Sequence, residues 1–268
     1  MGRTPRTGGA GATPTGCVAP RLWSGLWSAP FLVNTVSQAL LPQLKSRFHT
    51  NFAEFSHGRP NIGVMRVCND DLVQPSRGFG THPHRDAEIA TYIVAGQLTH
   101  KDSMGTSETL GPGSIQFMTA GTGVQHSEFN TSPDTPLRFI QMWFTPRRRG
   151  LPPNYGSYAA DGPSLDGWTP LVGDVDAPGQ AKVKVNTDVN LHASRITPGR
   201  TLDFELGAGR QAYVLSLEAG AVMDAAGGSE LHLEQQDAAL VTGPTPLRFT
   251  APPGGPGAHV LLIEMAAA

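Results

Sequence analysis

The sequence is short of charge and nearly free of cysteine. Charged residues make up 16% of its 268 residues and the formal net charge is −2. A dedicated nucleic-acid binder carries a clear basic excess, so this balance argues against direct nucleic-acid contact. The two cysteines, Cys17 and Cys68, stand far apart and have no Cys or His partner at zinc-finger spacing. That argues against a disulfide framework and against structural zinc, and fits a reducing compartment. No apolar run approaches the roughly 18–20 residues of a membrane span, which predicts a soluble protein with no membrane partner. Acidic residues are absent from the start of the chain, the first being Glu54. Residues 1–45 carry Arg3, Arg6, Arg21 and Lys45 among Gly, Ser, Thr and Pro. They read as a leader, either an organellar transit peptide or a disordered extension. Leu40 to Phe48 reads as a short helix.

Turn formers are abundant, with 32 glycines and 23 prolines. From Phe52 onward, short β-forming runs alternate with Gly/Pro punctuation, as in Ile62–Val67, Glu88–Val94, Ile115–Met118 and Leu137–Thr145. This pattern predicts an all-β fold of barrel or jelly-roll type. Residues 46–150 are expected to form a first barrel that ends in a basic, solvated Arg147–Arg149 stretch, 151–180 a linker, and 181–268 a second barrel. The second half repeats the strand-and-turn skeleton of the first. With Gly96 matched to Gly220, the places of His82 and His84 fall on Leu206 and Ala208. With Gly121 matched to Gly243, the place of His126 falls on Arg248. The second barrel is therefore expected to be a degenerate, metal-free copy, with His192, His232 and His259 as surface or hydrogen-bonded residues.

Two motifs carry chemistry. Gly78-Phe79-Gly80-Thr81-His82-Pro83-His84 places two histidines two residues apart, and Gly121-Thr122-Gly123-Val124-Gln125-His126-Ser127-Glu128 does the same for a histidine and a carboxylate. Side chains two apart on a strand share a face. His82, His84, His126 and Glu128 are thus expected to converge on one divalent transition metal; Fe(II), Mn, Co, Ni, Cu and Zn all suit such ligands. Glu88, four residues after His84, is the competing carboxylate. With Glu128 preferred, Glu88 becomes an outer residue orienting an imidazole. His100 and Gln141 are further candidates for that surrounding layer.

These segments resemble the pirin family of the cupin superfamily, especially its bacterial quercetinase-like members. The resemblance rests on His82-Pro83-His84-Arg85 and on Thr119-Ala120-Gly121-x-Gly123-x-x-His126-Ser127-Glu128, and covers roughly Phe52 to Tyr155. It implies a bicupin, two jelly-roll barrels in tandem, with His82, His84, His126 and Glu128 as ligands of a metal that is most often iron. It also implies quercetin 2,3-dioxygenase activity on a flavonol or another enol-like aromatic with O2, with Glu128 as general base. The alternative it offers is an iron-dependent, redox-sensing protein partner of transcription regulators. The expected location is the cytoplasm, an organelle if the leader is a transit peptide, or the nucleus.

Overall fold

In the computed structural model, residues 31–32, 37–41, 43–52, 58, 60–162, 164–225 and 229–267 are described. They form 22 strands and no α-helix, so no helix among them is long and apolar enough to cross a membrane. Cys17 lies outside the described residues; Cys68 is free and buried.

The strands form two seven-stranded and two four-stranded sheets. Each half of the chain supplies one large and one small sheet, which close into a jelly-roll barrel. The protein is an all-β bicupin. In the first half, the small sheet runs in the order Arg77–His84, Val124–Asn130, Leu98–Asp102, Ser107–Leu110. Its counterpart in the second half runs Thr201–Leu206, Thr245–Thr250, Ala221–Ala225, Ser229–Leu233.

The boundaries differ from those expected. The segment around Leu40 to Phe48 is not a helix: Ser37–Leu41 and Leu44–Phe48 form an antiparallel hairpin at the edge of the first large sheet. Leu44–Phe48 buries Ser46 and Phe48 while Lys45 is exposed, a period of two that suits a half-covered strand. Earlier still, Phe31–Leu32 pairs with Leu240 and Ala239 of the second half. The expected linker contributes Asn154–Tyr158 to the first large sheet and Thr169–Asp174 to the second. Arg147 is not merely solvated; it pairs with Asp174 and Asp176.

The two large sheets face each other across the main core. Tyr92, Ile140 and Met142 from one half pack with Leu191, Tyr213 and Ile263 from the other. Two buried tyrosines reach across this interface: Tyr92 Oη lies 2.8 Å from His259 Nε2, and Tyr213 Oη lies 2.9 Å from His49 Nδ1. Asp70, on the interface side of Met65–Val73, accepts from Arg138 Nε at 2.8 Å and Nη2 at 2.7 Å. Arg138 Nη1 continues to the Leu217 carbonyl at 2.8 Å. The pair is almost fully buried, at 11% and 5% side-chain exposure.

The barrel interiors differ. That of the second half is one apolar cluster that includes Leu206, Leu247 and Phe249. That of the first is split into a cluster around Phe139 and another around Ile89 and Met118, with polar residues between them.

Removing one member of the buried ion pair leaves its partner charged and desolvated. Arg138→Ala is expected to lower the unfolding free energy by about 3–5 kcal/mol, and adding Asp70→Asn should restore part of the loss. Urea denaturation of the single and double variants measures both.

Candidate metal centre

The ligand motifs lie on neighbouring strands. Val124–Asn130 pairs with Arg77–His84 so that His126 stands opposite His82, and Val124 opposite His84. Between His126 and Glu128 the register slips, with Glu128 falling opposite Phe79. The extra residue is accommodated around Gly80 and Thr81, a bulge of the kind that re-aims a side chain. The Gly80 carbonyl lies 2.7 Å from His82 Nδ1. Nδ1 therefore carries the proton, and Nε2 is left with its lone pair turned to the site. The turn before Val124 needs glycine: Gly121 has φ +47°, and a Cβ there would meet the Leu151 carbonyl at 1.9 Å.

His82, His84 and His126 come together, each offering a ring nitrogen within 4.8 Å of the others. His126 Nε2 and His82 Nε2 are 3.0 Å apart. Two imidazoles on one first-row ion, each at about 2.0–2.1 Å, place their nitrogens roughly 3 Å apart when adjacent. Burial, then the neighbouring His82, pushes His84 down to about 4. Burial, then His82, His84 and His100, pushes His126 down to about 3. Neutral rings with converging lone pairs are what a cation requires, so the residues present fit a divalent metal.

Glu128 is 2% exposed. Its Oε1 accepts from Gln116 Nε2 at 3.0 Å and Thr91 Oγ1 at 3.5 Å, and its Oε2 from Gln141 Nε2 at 2.7 Å. Burial pushes it up to about 7 despite these donors. The carboxylate groups with His126 and His100 in a second cluster that shares His126 with the first.

Gln141 reaches Glu128 through its Nε2, and its Oε1 accepts from Trp143 Nε1 at 3.2 Å. His100 also belongs to the site's surroundings: it is fully buried, its Nε2 lies 3.0 Å from Asp102 Oδ2, and its ring centroid is 5.2 Å from that of His126.

Glu88 does not. It accepts from Thr119 Oγ1 at 2.9 Å and from the Asn186 backbone N–H of the second half at 3.2 Å, and takes no hydrogen bond from a histidine among the described residues. The face-sharing expected between His84 and Glu88 fails because Asp86, at φ +50°, breaks the strand. Glu88 then opens a strand of the other sheet.

Sequence spacing missed Gln116, Thr91 and Tyr155. The Tyr155 ring stacks on His100 at 4.6 Å, and its hydroxyl lies 2.8 Å from Glu108 and 3.2 Å from Gln116 Oε1. Only cross-strand register brings these residues to Glu128.

The second barrel lacks this equipment. Phe204 pairs with Leu247 there as His82 pairs with His126 here, and Phe249 follows Leu247 as Glu128 follows His126. The equivalents are therefore Phe204, Leu206, Leu247 and Phe249, not Leu206, Ala208 and Arg248. Turn glycines do not fix strand register, and Arg248 lies on the outer face, paired with Asp203.

An imidazole cluster beside a buried carboxylate, inside the first of two jelly-roll barrels, defines a bicupin with a candidate metal centre in its first half. Residues 36–144 match the pirin family, and residues 176–265 match the quercetinase C-terminal cupin domain. The quercetin 2,3-dioxygenase of Escherichia coli is 35% identical over 167 residues, 62% of this chain and 68% of that protein. A Pseudomonas aeruginosa relative, whose name gives it the same activity only provisionally, is 34% identical over 227 residues, 83% of this chain and 93% of the relative. A bacterial pirin from Escherichia coli, solved in complex with nickel(II), superposes with a TM-score of 0.79 at 26% identity, covering 90% of this chain and all of that one. The chain belongs to the pirin family.

His126 is common to both ligand clusters, so His126→Ala should cut metal affinity by more than the 10–100-fold typical of outer residues. Metal analysis after dialysis checks this. A second expectation concerns Asp71, which burial pushes up to about 7, opposed by a Ser46 hydrogen bond and assisted by Asp70 and Glu128. A folded-state pKa above the unfolded one costs stability as pH rises through the folded value. The stability gained by Asp71→Asn over the parent should therefore grow by a few kcal/mol between pH 4 and pH 8, as read from urea midpoints.

Proposed function

We propose that the protein is a metal-dependent dioxygenase that opens the heterocycle of flavonols such as quercetin, consuming O2 and releasing CO. The observation that carries this reading is the placement of Glu128. A buried carboxylate pushed up to about 7 lines a cavity of about 260 Å³ together with His82 and His84. The cavity has an aromatic side: Trp143 meets the His84 ring at 4.7 Å, Phe52 meets Trp143 at 5.8 Å, and Phe48 stacks on Phe52 at 5.2 Å. A flat aromatic ligand suits such walls.

When bound, the divalent ion, with Fe(II) the expected one, supplies a Lewis-acidic, redox-capable centre for the flavonol and O2. The chain's own residues do the rest. His82, His84 and His126 would hold the ion, with Glu128 as a fourth ligand. Glu128 takes the proton of the flavonol 3-hydroxyl, which makes the ring electron-rich. Gln141, Gln116 and Thr91 fix the carboxylate's orientation through that transfer, and the aromatic wall keeps water from the opened ring. The dioxygenase names of the relatives support the substrate class and the nickel complex supports a divalent ion, both at the level of family likeness.

The test loads the protein with each metal and follows quercetin absorbance and CO in air. Loss of flavonol without CO, or no loss with any metal, would sink the reading; the second result would favour the redox-sensing partner of transcription regulators. Glu128→Gln is expected to retain part of its metal through the three imidazoles while turnover falls by about 10²–10⁴-fold. Full activity in that variant would remove Glu128 from proton transfer.

A further inference from the structure

Four adjacent strands of the first large sheet carry polar side chains in register: Gln116 pairs with Thr91, Thr91 with Gln141, and Gln141 with Asn69. The first three donate to Glu128. Asn69 does not. It is 3% exposed, and its Oδ1 has no hydrogen-bond partner among the described residues. Asp71 lies two residues further along the same face. Its Oδ1 accepts from Ser46 Oγ, and its Oδ2 takes no hydrogen bond from any described residue. Both side chains line the same cavity as His82, His84 and Glu128, whereas Asp70 between them turns to Arg138.

One strand spacing and two residues of rise separate Asp71 from Gln141, roughly 8 Å. The remaining lining beside Asp71, Leu44, Phe48 and Phe79, offers no donor. Asn69 Oδ1 and Asp71 Oδ2 are therefore the two acceptors of this wall left without a donor from the described residues, and a ligand hydroxyl can supply one. A carboxylate that burial disfavours is held here by one serine, although an apolar residue would sit there at lower cost.

We propose that Asn69 and Asp71 form an acceptor pair that selects aromatic ligands carrying a phenolic hydroxyl at the end remote from the histidines. The inference rests on the flavonol reading and adds its specificity: the enol end of the ligand sits at Glu128, and the pendant ring's hydroxyl donates to Asp71 Oδ2 or Asn69 Oδ1. A phenol donating to a carboxylate makes a charge-assisted hydrogen bond, stronger than a neutral one. A flavonol without that hydroxyl leaves both acceptors unpaired and binds more weakly.

The test is anaerobic isothermal titration of zinc-loaded protein at pH 8.5 with quercetin, kaempferol and galangin, flavonols bearing two, one and no hydroxyls on the pendant ring. The parent should bind quercetin about ten- to a hundredfold more tightly than galangin. Asp71→Leu should bring that ratio to within about threefold, through weaker quercetin binding and with no loss of galangin affinity. Asn69→Leu should lower the ratio in the same direction by less, and it carries the test if Asp71→Leu does not fold. Equal affinities for the three flavonols in the parent would overturn the acceptor pair and leave the flavonol reading standing. So would parallel losses for quercetin and galangin in the variants. No binding of any of the three by the parent would overturn both.

Discussion

A carboxylate taken out of water has to be surrounded by donors, and that requirement at Glu128 shapes the interior of the first barrel. Its donors come from three neighbouring strands: Gln116, Thr91 and Gln141. Each occupies an inward position that a strand would otherwise fill with an aliphatic side chain. The result is an interior divided into two apolar clusters. The second barrel shows the alternative, with Leu247 and Phe249 in the places of His126 and Glu128 and a continuous core around them. The same skeleton thus carries two interiors, one packed as a continuous apolar core and the other opened around buried polar side chains. Natural proteins tolerate such local costs where function is gained.

The second barrel also supports the first directly. The shared core between the large sheets buries Tyr92 and Tyr213, and each hydroxyl meets a histidine from the opposite half. Asn186 holds Glu88 at the start of the strand that carries Thr91. Arg138 anchors Asp70 to the Leu217 carbonyl. Asn69 and Asp71, on the reverse face of the strand that carries Asp70, are positioned by that anchor. The period of two lets one strand look both ways, its odd-numbered polar residues lining a cavity and its even-numbered ones joining the barrels.

The histidine pairs were legible in the sequence because a two-residue spacing survives in any extended segment. The choice between Glu88 and Glu128 depends on whether the strand continues past Asp86. A positive φ there carries no strong sequence signal at an aspartate. The hairpin of Ser37–Leu41 and Leu44–Phe48 was hidden for a different reason. Its residues are ordinary helix or strand formers, and only pairing with Met65–Val73 decides between the two. The glycines of the second barrel do not give its register, because they mark turns, and a turn of different length shifts every following side chain.

By itself, the sequence determined the all-β architecture, the duplication, the same-face histidine pairs and their loss from the second half, because these follow from local periodicity and residue type. Tertiary structure alone decided that Glu88 turns to Thr119 and Asn186, which amides hold Glu128, and that Asn69 and Asp71 share its cavity. Those relations run perpendicular to the strands, between residues tens of positions apart in the chain, and are set by hydrogen-bond register that no single segment encodes.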